Sequence, residues 1–175
     1  MASTMLVLGG ARSGKSRFAL DSHSSRARVT FIATALPGDA EMAERIERHR
    51  AERSQAWRTV EEPYELADRI REASIDADAV IVDCLTVWVA NLMLRGDPTD
   101  HVLKHADELA AGLALRICDT TVVSNEVGLG VHPATEEGRH FRDLLGAVNQ
   151  RVARAADRVV LMVAGVPLSV KQPSA

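Results

Sequence analysis

Short apolar runs of β type alternate with helical patterns along nearly all of this 175-residue chain. The runs are rich in Val, Ile and Leu without clean polar alternation, which is typical of parallel strands covered on both faces. The predicted strands are Met5–Leu8, Val29–Ala33, Trp57–Val60, Val80–Asp83, Thr121–Ser124 and Val159–Val163. The predicted helices are about Lys15–Ser24, Ala40–Arg53, Tyr64–Ala73, Leu85–Leu94, Leu103–Ile117 and Glu136–Ala156. Right-handed βαβ crossovers then predict a three-layer α/β fold with a mostly parallel sheet flanked by helices, and the length predicts a single domain over residues 1–175.

A glycine-rich segment joins the first predicted strand to the first predicted helix and fits G-x-x-x-x-G-K-[ST]. Its residues are Gly9, Gly10, Ala11, Arg12, Ser13, Gly14, Lys15 and Ser16. Glycines let the backbone bend so that successive N–H groups point at phosphate oxygens, and the helix N-terminus adds positive potential. Lys15 can reach the β- and γ-phosphates of a nucleotide, and the Ser16 hydroxyl can bind Mg²⁺. A glycine-rich turn with an incidental lysine is the alternative, but the strand–loop–helix setting favours a P-loop NTPase.

Asp83 is the predicted second magnesium residue beside Ser16. A phosphate loop that uses Mg²⁺ needs another partner for the metal, usually an acid at the end of a neighbouring apolar strand. Asp83 stands at the end of such a run, Ala79–Asp83. It could instead, or in addition, cap the helix predicted to start at Leu85.

Residues 39–53 combine a helical pattern with one histidine among several arginines. In a helix, Met42, Ile46, His49 and Arg53 fall on one stripe, because their spacings match the helical period. The arginines could hold a triphosphate while a neutral imidazole attacks its α-phosphorus. From the spacing alone a packed or solvated histidine is the more frequent case, so both interpretations stay open on these residues.

Composition excludes several other function classes. A formal net charge of −3 and an aromatic content of 3% predict no nucleic-acid partner. The most apolar stretch, residues 79–94, contains polar side chains and predicts no membrane span. Two cysteines, Cys84 and Cys118, form no metal-ligand pattern and are expected to be reduced core residues. With no basic segment at the start of the chain, we expect a cytoplasmic protein.

A polar segment follows the fifth predicted strand. Asn125, Glu126, Gly128 and Gly130 lie at its carboxyl end, where ligands of α/β proteins bind. A site role and a tight turn are both open for these residues.

The order of several motifs along the chain identifies a family resemblance. After the phosphate loop come Arg45-Ile-x-x-His49 and Trp57-Arg-Thr59, and then the blocks Asn125–Val131, Arg139–Leu144 and Val148–Ala153. Together they cover essentially the whole chain in order. This pattern resembles the bifunctional adenosylcobinamide kinase/adenosylcobinamide-phosphate guanylyltransferase family of cobalamin biosynthesis.

The resemblance implies two reactions. A nucleoside triphosphate, ATP or GTP, phosphorylates the aminopropanol hydroxyl of adenosylcobinamide. GMP then passes from GTP, through a guanylylated histidine, to adenosylcobinamide phosphate, which gives adenosyl-GDP-cobinamide and pyrophosphate. His49 matches the guanylylated histidine, and Lys15 and its loop match the family's phosphate loop. The further nucleotide contacts that the resemblance implies are Thr34, Ala35, Leu36, Arg50, Ala51, Glu52, Arg53, Glu61 and Asp83.

The resemblance also implies a RecA-like P-loop fold and a homotrimer. Two positions depart from the family pattern: Ser54 stands where relatives often have proline, and Arg48 where some have a second histidine. Two other functions remain as alternatives on the sequence. One is a P-loop small-molecule kinase without nucleotidyl transfer, and the other is a GTP-dependent switch, although the Asn-Lys-x-Asp motif of such switches is absent.

Overall fold

The computed structural model describes residues 2–36, 38 and 54–173. Strands are β1 (Thr4–Gly9), β2 (Val29–Ala33), β3 (Arg58–Glu61), β4 (Ala79–Asp83), β5 (Asp119–Val123), β6 (Arg158–Val163) and β7 (Val166–Lys171). Helices in these ranges are α1 (Lys15–Asp21), α2 (Leu66–Asp76), α3 (Leu85–Arg95), α4 (Thr99–Ala114) and α5 (Glu136–Ala155), with a 3₁₀ turn over Val127–Leu129. The helix predicted at Ala40–Arg53, which carries His49, lies outside the described residues.

The seven strands form one sheet in the order β3-β2-β4-β5-β1-β6-β7. Strands β1 to β6 are parallel and β7 runs antiparallel to β6. The predicted α/β fold with a mostly parallel sheet flanked by helices is therefore confirmed. The ends of β1 to β6 lie on one side of the sheet, which we call the carboxyl edge.

Both faces of the sheet are apolar, which explains the lack of polar alternation in the sequence. Leu6, Val80 and Val122 pack in a cluster with the helices α2 to α5 on one face. Their neighbours in the strands point the other way; Ile81 and Val123, for example, pack with residues of α1. Because successive side chains of a strand alternate between faces, a strand covered on both faces favours apolar residues at successive positions, as in Ala79–Val82 of β4.

Strand β7 was missed by the sequence prediction. It contains Pro167, and five of its six residues are exposed, so it lacks the buried apolar residues that mark β1, β2, β4, β5 and β6. Pro in a strand is tolerated mainly at a sheet edge, which is where β7 lies. The available signal in the sequence was the dipeptide Ala164-Gly165 between two apolar runs. In the structure these two residues have φ angles of 51° and 82°, which are those of a hairpin turn.

Helix boundaries differ from the prediction by a few residues. Helix α4 begins at Thr99 rather than Leu103, directly after the loop that Gly96 and Pro98 predict. Helix α1 ends at Asp21 instead of Ser24. Among the described residues no helix is long and apolar enough to cross a bilayer.

Candidate functional site

Two glycines shape the loop between β1 and α1. Gly9 has φ +155°, and a Cβ on it would lie 2.5 Å from Ser13 Oγ and 2.7 Å from the Met162 carbonyl oxygen. Gly14 has φ +93°, and a Cβ there would lie 3.3 Å from the Cα of Gly165. The loop can therefore pass this close to the end of β6 and the β6–β7 turn only without side chains at these positions.

Hydrogen bonds hold the same loop from two sides. Gly165 N donates to the Ser13 carbonyl at 3.0 Å, and Glu126 N donates to the Gly9 carbonyl at 3.1 Å. Lys15, only 8% exposed, bends back so that Nζ donates to the Gly10 carbonyl at 2.6 Å. The cationic side chain is thus held against the loop.

The Ser13 hydroxyl is buried and has no hydrogen-bond partner in the described part of the chain. An unsatisfied buried hydroxyl costs about 1–3 kcal/mol. An acceptor brought by a ligand at this loop would remove that cost.

Most of the described residues predicted to contact nucleotide lie on the carboxyl edge. The register aligns Glu61, Ala33, Asp83 and Val123 in one row across β3, β2, β4 and β5. The phosphate loop, residues 9–16, leaves β1 on the same edge, and residues 34–36 follow β2 there. Strand β5 separates β4 from β1, so Asp83 stands about 10 Å from β1 in the plane of the sheet.

Ser16 and Asp83, the predicted magnesium residues, are both half-buried. The N-cap of α3 is Cys84, which makes no side-chain capping bond, so the alternative that Asp83 caps this helix is wrong. Burial, and secondly the Asp83 carboxylate, raise the pKa of the Cys84 thiol to about 11. Cys84 therefore stays protonated near neutral pH and is a poor nucleophile.

Thr34 is fully buried, and its side chain is already engaged by the protein. Its hydroxyl donates to the Cys84 carbonyl at 2.8 Å and accepts from Cys84 N at 2.9 Å. Asn91 Nδ2 donates to the Thr34 carbonyl at 2.7 Å. Thr34 therefore fixes the end of β2 to the chain just after Asp83. Ala35 is half-buried and Leu36 is 42% exposed.

A buried polar network, which the sequence analysis missed, holds the segment after β5. Ser124 Oγ donates to Asn149 Oδ1 at 2.7 Å, and Asn149 Nδ2 donates to the Asn125 carbonyl at 3.0 Å. Asn125 N in turn donates to Thr86 Oγ1 at 2.8 Å. The available signal was Asn149 itself, a polar residue one position after Val148 on the buried face of α5.

Comparison with known proteins identifies the family. The model of the family described as cobinamide kinase / cobinamide phosphate guanyltransferase matches residues 5–170. The chain belongs to this family. The bifunctional adenosylcobalamin biosynthesis protein CobP of Pseudomonas aeruginosa is 44% identical over 174 residues, covering 95% of this chain and 96% of that protein. The bifunctional adenosylcobalamin biosynthesis protein CobU of Escherichia coli is 37% identical over 179 residues, covering 95% of this chain and 99% of that protein.

A solved structure from Pyrococcus horikoshii shares the fold. It is 9% identical, has a TM-score of 0.58, and is matched over 98% of this chain and 87% of that one. The family match confirms the predicted enzyme class, a kinase and guanylyltransferase of cobalamin biosynthesis, and with it nucleotide substrates. His49 and Arg50 to Arg53 lie outside the described residues, so their roles stay predictions.

The close approach at Gly9 leads to a stability prediction. Gly9→Ala should lower the free energy of unfolding by about 1–3 kcal/mol, because its Cβ meets the Met162 carbonyl and the backbone is strained. Thermal unfolding of the nucleotide-free protein measures this. Gly10→Ala is the matched control. A Cβ there meets nothing within 4 Å, so its free energy of unfolding should fall much less than that of Gly9→Ala. Equal melting temperatures for the two variants would contradict the described packing of the loop.

Proposed function

We propose that this chain phosphorylates adenosylcobinamide with ATP or GTP and then transfers GMP from GTP to the product. The products of the second reaction are adenosyl-GDP-cobinamide and pyrophosphate. The observation that carries the proposal is the phosphate loop with Lys15 held against it, on the same sheet edge as Asp83. Membership of a family described by both activities supports the assignment.

In the kinase reaction the loop would bind the β- and γ-phosphates through its backbone N–H groups and the N-terminus of α1. Lys15 Nζ would exchange the Gly10 carbonyl for phosphate oxygens, which brings a positive charge to the group being transferred. The aminopropanol oxygen of adenosylcobinamide attacks the γ-phosphorus, and the bond from that phosphorus to the β–γ bridging oxygen breaks. The nucleoside diphosphate leaves, and the hydroxyl proton passes to solvent. A phosphate oxygen would also be an acceptor for the unpartnered Ser13 hydroxyl.

Ser16 and Asp83 are the residues that would hold Mg²⁺. One hydroxyl and one carboxylate suit an ion that takes its other ligands from phosphates and water. No group of three or more His, Cys, Asp or Glu that could hold a metal ion occurs in residues 2–36, 38 and 54–173. When bound, Mg²⁺ neutralises negative charge on the phosphates.

In the transfer reaction His49 would be the nucleophile. A neutral ring nitrogen attacks the α-phosphorus of GTP, forms a P–N bond and releases pyrophosphate. A phosphate oxygen of adenosylcobinamide phosphate then attacks the same phosphorus and frees the imidazole. Arg50 and Arg53 would offset the triphosphate charge, and nearby cations favour the neutral imidazole. The homotrimer and the cytoplasmic location stay predictions of the sequence.

Lys15→Ala tests the phosphate loop. We expect kinase turnover to fall by about 10²–10⁴, because a charge contact to the transferring phosphoryl group is lost. The turnover is measured as the rate at which phosphorylated adenosylcobinamide forms, detected by its mass. Lys104→Ala, at an exposed lysine of α4 that pairs with Glu108, is the control and should keep turnover. Near-normal turnover in a folded Lys15→Ala protein would contradict the assignment.

Asp83→Asn tests the metal site. The amide keeps the size of the side chain but removes its charge, so the half-saturating Mg²⁺ concentration of the kinase should rise by roughly tenfold or more. Asp68→Asn is the control, since Asp68 is exposed on α2 and pairs with Arg71. If the Mg²⁺ titrations of Asp83→Asn and the parent superimpose, Asp83 does not serve the metal.

His49→Ala separates the two chemistries. It should abolish labelling of the protein by α-labelled GTP, whereas phosphorylation of adenosylcobinamide by Lys15, Ser16 and Asp83 continues. In the parent, the label should survive alkali and be lost in acid, as expected for a phosphoramidate. His49→Asn, closer in size and polarity, should fail in the same way if nucleophilicity is what matters. If either variant still carries histidine-bound label, the nucleophile is another histidine, and His132 and His140 are the next to be tested.

A further inference from the structure

The segment that follows β5 starts against the phosphate loop and carries two exposed, large apolar side chains. Leu129 is 76% exposed and Val131 is 93% exposed. The Glu126 N–H bond to the Gly9 carbonyl ties the start of this segment to the loop. Leu129 is three residues further on, so its Cα lies no more than about 11 Å from that of Glu126. We call residues 126–131 the apolar platform.

The backbone of the platform is anchored at both ends. On one side Asn125 is held by Thr86 and Asn149, and Val127 packs against the main hydrophobic cluster. On the other side Arg139 Nη1 donates to the carbonyls of Pro133 and Ala134, at 3.2 and 2.9 Å. The chain is therefore held just before and just after the exposed side chains of Leu129 and Val131.

The glycines of the platform are not required by its conformation. Neither Gly128 nor Gly130 has a left-handed φ. A Cβ on Gly128 would lie 3.7 Å from Glu126 Oε1, and one on Gly130 would lie 3.4 Å from the Val127 carbonyl oxygen, both within ordinary contact distances. The effect of the two glycines is to leave bare backbone on either side of Leu129.

We propose that the apolar platform binds a face of the corrin ring of the acceptor substrate. This inference rests on the proposed function, in which the acceptor is a corrinoid. Its hydroxyl must reach a phosphate held at the loop, so the rest of this large molecule has to lie on the surface that adjoins the loop. A corrin ring is broad with apolar faces, and covering Leu129 and Val131 with it removes apolar surface from water.

The polar groups around the platform suit the same ligand. Glu126 is half-buried at one end, and the exposed His132 follows the other end, with its Nδ1 2.8 Å from Arg142 Nη1. The ring of a corrinoid carries amide side chains on its edge, which need hydrogen-bond donors and acceptors. Glu126 and His132, at the two ends of the platform, would supply such groups.

The test uses Leu129→Ser combined with Val131→Ser in the full chain, with folding checked by circular dichroism. We expect the KM for adenosylcobinamide, and that for adenosylcobinamide phosphate, to rise by about tenfold or more, because apolar contact is lost. The KM for ATP and the labelling of the protein by α-labelled GTP without corrinoid should stay within about twofold, since neither involves the platform. This separation distinguishes a substrate platform from general damage to the loop.

Ile75→Ser is the matched control. Ile75 is 75% exposed, and it lies at the end of α2 just before β4 begins, which is on the sheet edge opposite the phosphate loop. Its KM for the corrinoid should equal that of the parent. An unchanged corrinoid KM in the double variant, or equal increases in the double variant and in Ile75→Ser, would overturn the proposal.

Two further measurements decide the remaining outcomes. Sedimentation of the double variant detects a change in its oligomeric state. If such a change accounts for the altered KM, the platform is a contact between copies of this chain, and the proposal is overturned.

Equilibrium dialysis measures the binding of adenosylcobinamide to the parent and to the double variant, and it separates failure of the platform from failure of the proposed function. If the parent binds the corrinoid without phosphorylating it and the variant binds more weakly, the platform stands and the kinase assignment falls. If the parent does not bind it, both fall.

Discussion

The site depends on the close passage of the β1–α1 loop past the end of β6. At Gly9 there is no room for a Cβ, because it would meet Ser13 Oγ and the Met162 carbonyl oxygen. This contact fixes where the loop turns, and the turn fixes where α1 begins and where Lys15 is held. The Glu126 N–H bond to the Gly9 carbonyl extends the same arrangement to the apolar platform. The segments that would bind the nucleotide and its acceptor are therefore joined by one backbone hydrogen bond, which we call the junction.

Parallel strands explain how residues distant in the chain reach this junction. Because Glu61, Ala33, Asp83 and Val123 are in register, their strands end together on one edge. The positions of the side chains on that edge are then set by tertiary hydrogen bonds. The Thr34 hydroxyl, for example, bonds twice to the backbone of Cys84 and so fixes the chain next to Asp83.

Local patterns in the sequence predict the fold well and the site in part. Strands apolar at every position, such as Ala79–Val82 before Asp83, indicate a sheet covered on both faces, and the glycine spacing of residues 9–16 predicts a phosphate loop at the end of the first strand. The engagement of Thr34 and the network around Asn149 could not be predicted, since each joins residues far apart in sequence. Strand β7 was not predicted, because it is exposed and contains Pro167. Only its pairing with β6 makes it a strand.

The β6–β7 hairpin determines when, during synthesis, the loop between β1 and α1 gains its packing contacts. Its turn donates a backbone hydrogen bond from Gly165 to the Ser13 carbonyl, and Lys171 Nζ donates to the carbonyls of Ala153, Arg154 and Ala156 at the end of α5. β6 also pairs with β1 along its length. The phosphate loop is encoded near the start of the chain, but the surface that it packs on is synthesised among the last residues described. During synthesis the loop can make these contacts only after residues 158–171 have been added to the chain.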